Sequence, residues 1–347
     1  VDDRYNMRAS LMAYRIILLL VAAMVAFTAA LPAQAGSTKW RREELSDEEI
    51  RARYGGQEDE ITLSEALRYL LYLVNRDRRA AGLRAVDTDR TAARAAEEHA
   101  TEMAQQRYLS HLNLAGEKPT QRYNRYGGVN FVSENVSFWE TRTRVYLTAK
   151  VVESVHERWM ESEPHRQTIM NPYFTHVGMA IVVQWDGDST VVTAAQEFVA
   201  AYGDFGRLPA EAYAGEKLML TGEFSDRSMH LVQVAVGWEP FPERQRPEEL
   251  NANLNGYSLP QPFVALMPKA DEYKRKMLGV PNLYLITDQP QWGRFRARMS
   301  VDDIYYGLKQ AGRTAEFKPG LYYFTVWASP EGGKPFIVSA QVVAVDG

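Results

Sequence analysis

The spacing of apolar residues changes character part-way along the chain, and that switch limits the fold more than any other feature. In "ITLSEALRYLLYLVNRDRRAAGL", Leu67, Leu70, Leu71 and Val74 stand at i, i+3, i+4 and i+7, the spacing of one helix face. Thr62 with Glu65 offers a capping-box start and Gly82 a stop. A second helix is expected from about Asp89 to Tyr108, rich in alanine, with Ala92, Ala96, His99 and Met103 along one side. Side chains that small allow a helix to approach a sheet closely. A third helix is expected near Ala149 to Ser162, with Val152, Val155 and Trp159 on one face. Pro164 stops it, because proline has no amide hydrogen to give. Beyond it "VGMAIVVQW" and "STVVTAAQEFVA" alternate with a period of two around the turn "DGDS", which predicts an antiparallel hairpin. Helices first and a hairpin last predict an α/β sandwich rather than a helical bundle.

From about Leu208 short strand-like runs take over: "KLMLTGEF", "MHLVQVAVGW", "RFRARMSV", "LYYFTVWAS" and "PFIVSAQVVAV", separated by Gly, Pro and Asp turns. Residues 204–347 therefore read as an all-β sandwich, with "FPERQRPEELNANLNGYSLPQP" as a loop insertion or partial helix. A length of 347 residues fits two domains better than one. The formal charge of −4 gives no reason to expect nucleic acid as a partner. Arg294, Arg296 and Arg298 could face an anionic polymer, but a solvated strand face is the simpler reading.

At the other end, Arg8 and Arg15 precede the apolar run "IILLLVAAMVAFTAA", and small residues stand at Ala33 and Ala35. This is the layout of a secretory signal peptide, residues 1–35, cleaved after Ala35. An uncleaved anchor is the alternative, but the run falls short of the ~20 apolar residues that span a bilayer. Met7 rather than Val1 could be the initiator. Cleavage implies a secreted or periplasmic protein with no membrane span. The chain has no cysteine, hence no disulfide and no lipid-modified thiol, and with the signal layout this suggests a bacterial protein. Residues 36–60 are charged and read as a linker or loosely docked arm; residues 61–203 read as the first domain.

Chemistry-bearing residues gather in the first domain: His111 at the end of "YLSH", Glu134 in "SENV", the acids Glu157, Glu161 and Glu163, and His165. Imidazole and carboxylate suit a divalent metal such as zinc, and equally a general acid–base site. Neither His-Glu-x-x-His nor Gly-x-Ser-x-Gly occurs. The ordered blocks "LVNRDRRAAGL", "AAEEHATEMAQQRYLSH", "SENV", "RWMESEPHRQTIMNPYFTHVGMAIV" and "AAQEFV", across roughly residues 61–200, resemble the bacterial SCP-like branch of the CAP superfamily. That superfamily takes its name from cysteine-rich secretory, antigen and pathogenesis-related proteins.

The resemblance implies a three-layer α-β-α sandwich with a broad cleft. There His111, Glu134 and His165 face one another, Asn135 braces the loop, and Glu161 and Ser162 belong to the same wall. Ser162 stands where animal and plant members carry a further glutamate. Glu161 or Glu163 could act from a neighbouring position, although adjacent helical residues face different directions. Thr168 stands where bacterial relatives usually have asparagine. The implied metal donors are His111, His165 and Glu134, with Zn2+ as the ion. The implied function is an exported binding module for a lipid-like or cell-envelope ligand. The rival is a zinc-assisted hydrolase of peptide or cell-wall material in which Glu134 activates water.

Other residues have simpler readings. His99 lies on an apolar helix stripe as a core histidine, and His156 and His176 are structural or exposed. Trp159, Met160 and Met179 are core packing residues, and Arg166 pairs with Glu163 or another acid. Ser110 and Ser133 each adjoin a cleft residue, but sequence neighbours on an extended segment point to opposite faces, which argues against a nucleophile.

Overall fold

The computed structural model describes residues 46–56, 58–254, 256–268, 282–285 and 293–347. The expected signal peptide, residues 1–35, and the start of the expected charged linker lie outside them. Among the described residues no helix is long and apolar enough to cross a membrane. Within the charged stretch lies a short helix, α1 (Asp47–Tyr54), started by a capping box between Ser46 and Glu49. It docks through Ile50 and Tyr54, both buried, with the Tyr54 ring centroid 5.6 Å from that of Tyr69. Tyr69 belongs to α2 (Leu63–Ala80), where Thr62 and Glu65 form the expected capping box.

After the two-residue strand β1 (Asp87–Thr88) comes α3 (Arg90–Gln106), whose first turn is capped by Asp89 accepting from the Ala92 amide at 2.7 Å. It ends at Arg107, which adopts the left-handed conformation, φ 55°, that turns a chain off a helix axis. Next come α4 (Pro119–Arg125), β2 (Phe131–Thr141), α5 (Ala149–Glu161), α6 (Glu163–Ile169), β3 (His176–Asp186) and β4 (Ser189–Ala200). Pro164 does more than stop α5: Ser162 is extended, and the proline sits in the first turn of α6, where a missing amide hydrogen costs nothing.

The sheet runs β1-β3-β4-β2, antiparallel except for the β1–β3 pair, so β2 is an edge strand. The helix α3 lies on one face, and α2 and α5 pack together on the other, giving three α-β-α layers. The close approach of α3 depends on Gly178 in β3: a Cβ there would lie 2.0 Å from the Ala93 nitrogen. Ala96 and Ala100 continue the contact toward Ala180 and Ala195.

A β-rich region follows: β5 (Gly203–Phe205), β6 (Glu211–Tyr213), β7 (Leu218–Phe224), β8 (Met229–Glu239), α7 (Pro247–Ala252), β9 (Pro262–Pro268), β10 (Asn282–Leu285), β11 (Arg294–Met299), α8 (Val301–Gln310), β12 (Gly320–Pro330) and β13 (Phe336–Asp346). A six-stranded sheet, β10-β9-β8-β12-β13-β6, and a three-stranded one, β11-β7-β5, share one apolar core. Leu218, Leu220 and Phe295 from one sheet meet Val234, Val236 and Phe324 from the other. The run "RFRARMSV" stops being a strand at Met299, because Ser300 and Asp303 form a capping box that opens α8 and sends Ile304 and Leu308 into this core. Arg294 pairs with Glu223 of β7, as a solvated strand face would have it.

Ser46–Gly347 is one compact unit. The helix α4 is bound to β13 through Asn124, whose Nδ2 donates to Ala340 O at 3.0 Å while its Oδ1 accepts from Val342 N at 2.9 Å. Asn130 and Ser339 form an isolated bridge beside β2, and Lys118 pairs with Glu239. The connection between β8 and β9 contains α7 and crosses to the first sheet, where Leu250 is buried against Ala100, Met103, Tyr108 and Val136.

Candidate functional site

His111 sits in the loop between α3 and α4, and that loop is held from several sides. His99 donates through Nε2 to Ser110 O at 2.8 Å, so the core histidine supports the backbone just before His111. Arg122 of α4 donates through Nη1 to His111 O at 2.8 Å and to Glu117 O at 2.9 Å. The His111 ring places Nδ1 2.8 Å from Glu134 Oε1 on β2, and Arg122 Nη2 donates to Glu134 Oε2 at 2.5 Å. Both oxygens of Glu134 are therefore engaged. With Nδ1 held by a carboxylate, the other ring nitrogen of His111, Nε2, is left to meet a ligand.

Directly across the strands, Glu134 faces Glu197 of β4. Both carboxyls and Arg122 are fully buried, and Arg122 Nη2 is 3.9 Å from Glu197 Oε1. One buried cation thus serves two buried acids. Burial opposes ionisation of Glu134, but the Arg122 charge and the His111 hydrogen bond outweigh it and hold the pKa down to about 2. Burial and the neighbouring Glu134 charge push Glu197 well above the usual carboxylate range, with Arg122 only partly offsetting them. Glu134 is thus held ionised beside Arg122 while Glu197 is pushed toward its protonated form, which lowers the net charge of the group, as a dry interior favours. His99, beside them, is kept neutral by burial and by Arg122, with its pKa down to about 3.

These shifts have opposite signs for stability. Glu134 contributes stability that is present above the ordinary carboxyl value of 4.5 and is lost as pH falls from there toward 2. Glu197 must keep a proton that the unfolded chain releases above 4.5, so its burial costs stability as pH rises through that value. Glu197→Gln, a neutral replacement of the same shape, is expected to raise Tm at pH 7 and leave it nearly unchanged at pH 4. Thermal melts at the two pH values check this; an equal shift at both would mean that Glu197 holds no extra proton.

His165, on α6, is tied to this group through its backbone. Its backbone oxygen accepts from Asn135 Nδ2 at 3.1 Å, which links it to the residue after Glu134. Burial, then the charge of His111, lowers the His165 pKa, so the two imidazoles are within electrostatic reach and the neutral form of His165 is favoured. Ser162 is half-buried at the start of α6 and accepts from Arg166 N through its backbone oxygen at 2.9 Å. Glu161 is exposed, and Glu163 pairs with Arg166 and takes Gln167 Nε2 at 2.7 Å, so neither completes the histidine pair. Among the described residues no group of three His, Cys, Asp or Glu side chains forms a metal-holding cluster. Two imidazoles and a carboxylate with both oxygens taken do not fit zinc, which takes three protein donors even in open sites.

The remaining histidines lie apart: His156 is buried with Nε2 2.7 Å from Asp77 Oδ2, His176 holds Thr175 Oγ1 at 2.9 Å through Nδ1, and His230 is on β8. Three residues of the site have no place in the sequence-based set: Arg122, Glu197 and Tyr257. Tyr257 comes from the β8–β9 connection; its ring centroid is 5.0 Å from that of His111, and its hydroxyl accepts from Glu134 N at 3.0 Å. A carboxylate inside the buried strand "AAQEFVA" is the one local signal that could have marked Glu197.

Residues 71–198 match the family model described as CAP, the cysteine-rich secretory protein family. This segment is a CAP domain. A 110-residue part of the chain is 28% identical to an uncharacterized protein, YkwD, of Bacillus subtilis (strain 168). The match takes in 32% of this chain and spans 40% of the length of that relative. Among solved structures, an outer surface protein of Borrelia burgdorferi is 18% identical, with a TM-score of 0.33, over 41% of this chain and 99% of its own. An extracellular protein containing a SCP domain from Bacillus anthracis is 21% identical, with a TM-score of 0.30, over 41% of this chain and 44% of its own. The CAP domain contributes His111, Glu134 and His165 to the site, and Tyr257 reaches it from beyond the matched residues.

Proposed function

We propose that this chain is an exported bacterial binding module, without turnover, whose CAP cleft takes a lipid-like or cell-envelope ligand against His111 and His165. The observation that carries the reading is the double engagement of Glu134, by His111 at one oxygen and Arg122 at the other. A general base works best with a pKa near the working pH, and a carboxylate held at about 2 is a weak one. Glu134 instead orients His111, as a second carboxylate orients histidines in many binding sites. Export rests on the signal-peptide layout of residues 1–35.

The rival, a zinc-assisted hydrolase, asks Glu134 to give up Arg122 or His111 in order to activate water, and supplies zinc with two imidazoles only. Metal analysis of the purified chain, native mass spectrometry with an envelope lipid extract and with soluble muropeptides, and assays on peptidoglycan separate the two. The expected result is sub-stoichiometric metal, an adduct that His111→Ala and His165→Ala both lose, and no cleavage. Cleavage by the wild type that both variants abolish would establish the hydrolase instead.

A further inference from the structure

The connection between β8 and β9 is fastened to the CAP domain before and after Tyr257. On the near side Gln245 N donates to Leu114 O at 2.9 Å, and Asn251 closes a paired contact. Its Oδ1 accepts from Leu109 N and its Nδ2 donates to Arg107 O, each at 2.9 Å. Leu250 is only 3% exposed among Met103, Tyr108 and Val136. On the far side Lys118 Nζ donates to Ser258 O at 2.9 Å, and Pro260 packs back onto β8, so close to Gly237 that a Cβ there would be 2.7 Å from Pro260 O. None of these fastenings involves the Tyr257 side chain.

That side chain occupies two features of the site at once. Because β2 ends the sheet, the Glu134 amide points away from β4, and Tyr257 supplies the oxygen it needs. The Tyr257 ring lies against the His111 imidazole at 54° between planes, leaving the His111 side chain 17% exposed. An acceptor oxygen on a flat apolar body is what these two neighbours select.

We propose that the β8–β9 connection is a built-in cover of the CAP cleft, and that a ligand reaches His111 by taking the place of Tyr257 with an acceptor oxygen carried on a flat apolar group. The inference rests on the cleft being a ligand site, but its test reads access to one imidazole rather than ligand capture. It can therefore fail while the binding reading stands. Displacement costs the ligand whatever holds Tyr257 in place, so the cover lowers apparent affinity and rejects groups lacking the oxygen.

Diethyl pyrocarbonate acylates accessible neutral imidazoles, and peptide mass spectrometry of the full chain gives its rate at each histidine. The ratio of the His111 rate to that of His176, which lies on β3 outside the cleft, cancels general changes in stability. Tyr257→Ala is expected to raise this ratio by about tenfold or more, since the covered state then no longer limits access. Tyr257→Phe, which keeps the ring and loses only the oxygen, is expected to raise it a few-fold. In Tyr257→Ala, p-cresol, the detached tyrosine side chain, is expected to slow the His111 reaction, and toluene to do so much less. An unchanged ratio in a Tyr257→Ala chain of wild-type Tm overturns the cover. So does an unchanged ratio in Tyr257→Phe if the alanine variant does not fold. Equal protection by p-cresol and toluene overturns the ligand chemistry.

Discussion

Arg122→Met is expected to lower folding stability by about 3–5 kcal/mol, the usual result of removing one partner from a buried charged group. Arg122 has no exposed surface, carries the backbone of His111 and Glu117, and is the cation between Glu134 and Glu197. Without it, Glu134 is a buried carboxylate facing a second acid. Denaturant unfolding of the single variant, of Glu134→Gln and of the pair makes the measurement. The double variant is expected to lose clearly less than the sum of the singles, because Gln leaves no stranded charge. A loss under about 1 kcal/mol, or strict additivity, would show that the three side chains do not act as a unit.

Trp159→Ala is expected to have an effect of similar size, about 3–5 kcal/mol, for a different reason. The indole is 1% exposed between α5 and the sheet, and its Nε1 donates to Val136 O at 3.0 Å. Val136 is on edge strand β2, two residues after Glu134, so the indole both fills the layer and caps an outward carbonyl. Trp159→Phe, which keeps most of the volume and loses the donor, is expected to cost about 1–3 kcal/mol, the penalty for a buried unpaired carbonyl. Thermal and urea unfolding check the order Ala worse than Phe; equal losses would assign the whole effect to volume.

These two residues mark where sequence reasoning reached and where it stopped. Trp159 is readable as core because Val152, Val155 and Trp159 share one helix face, a pattern contained within a single segment. His111, Glu134, Asn135 and His165 are readable through the blocks that resemble CAP proteins; the structure pairs the His111 and Glu134 side chains and ties Asn135 to the backbone oxygen of His165. Arg122 lies in "PTQRYNR", where nothing local separates it from Arg125, which pairs at the surface side with Glu98 and Glu117. The short helix α4 that presents Arg122 also has too few apolar positions to show a period. The helix α8 went unread because a strand run flows into it without a glycine or proline, and only the Ser300–Asp303 cap marks the join.

The three long helices and the β3–β4 hairpin of the first domain are legible in the sequence alone, because periodicity and capping are local properties, whereas the α-β-α layer order and the candidate site residues are legible only through the blocks that resemble CAP proteins. The charge state of the site and its cover were settled by folding. Whether Glu134 or Glu197 keeps a proton depends on burial and on one guanidinium between them, and neither exists until strands 134 and 197 are paired. The hydroxyl on the Glu134 amide arrives from 123 residues further along the chain. No pattern in either segment specifies that meeting, since it follows from how the β-rich region packs against α4 and the edge of β2.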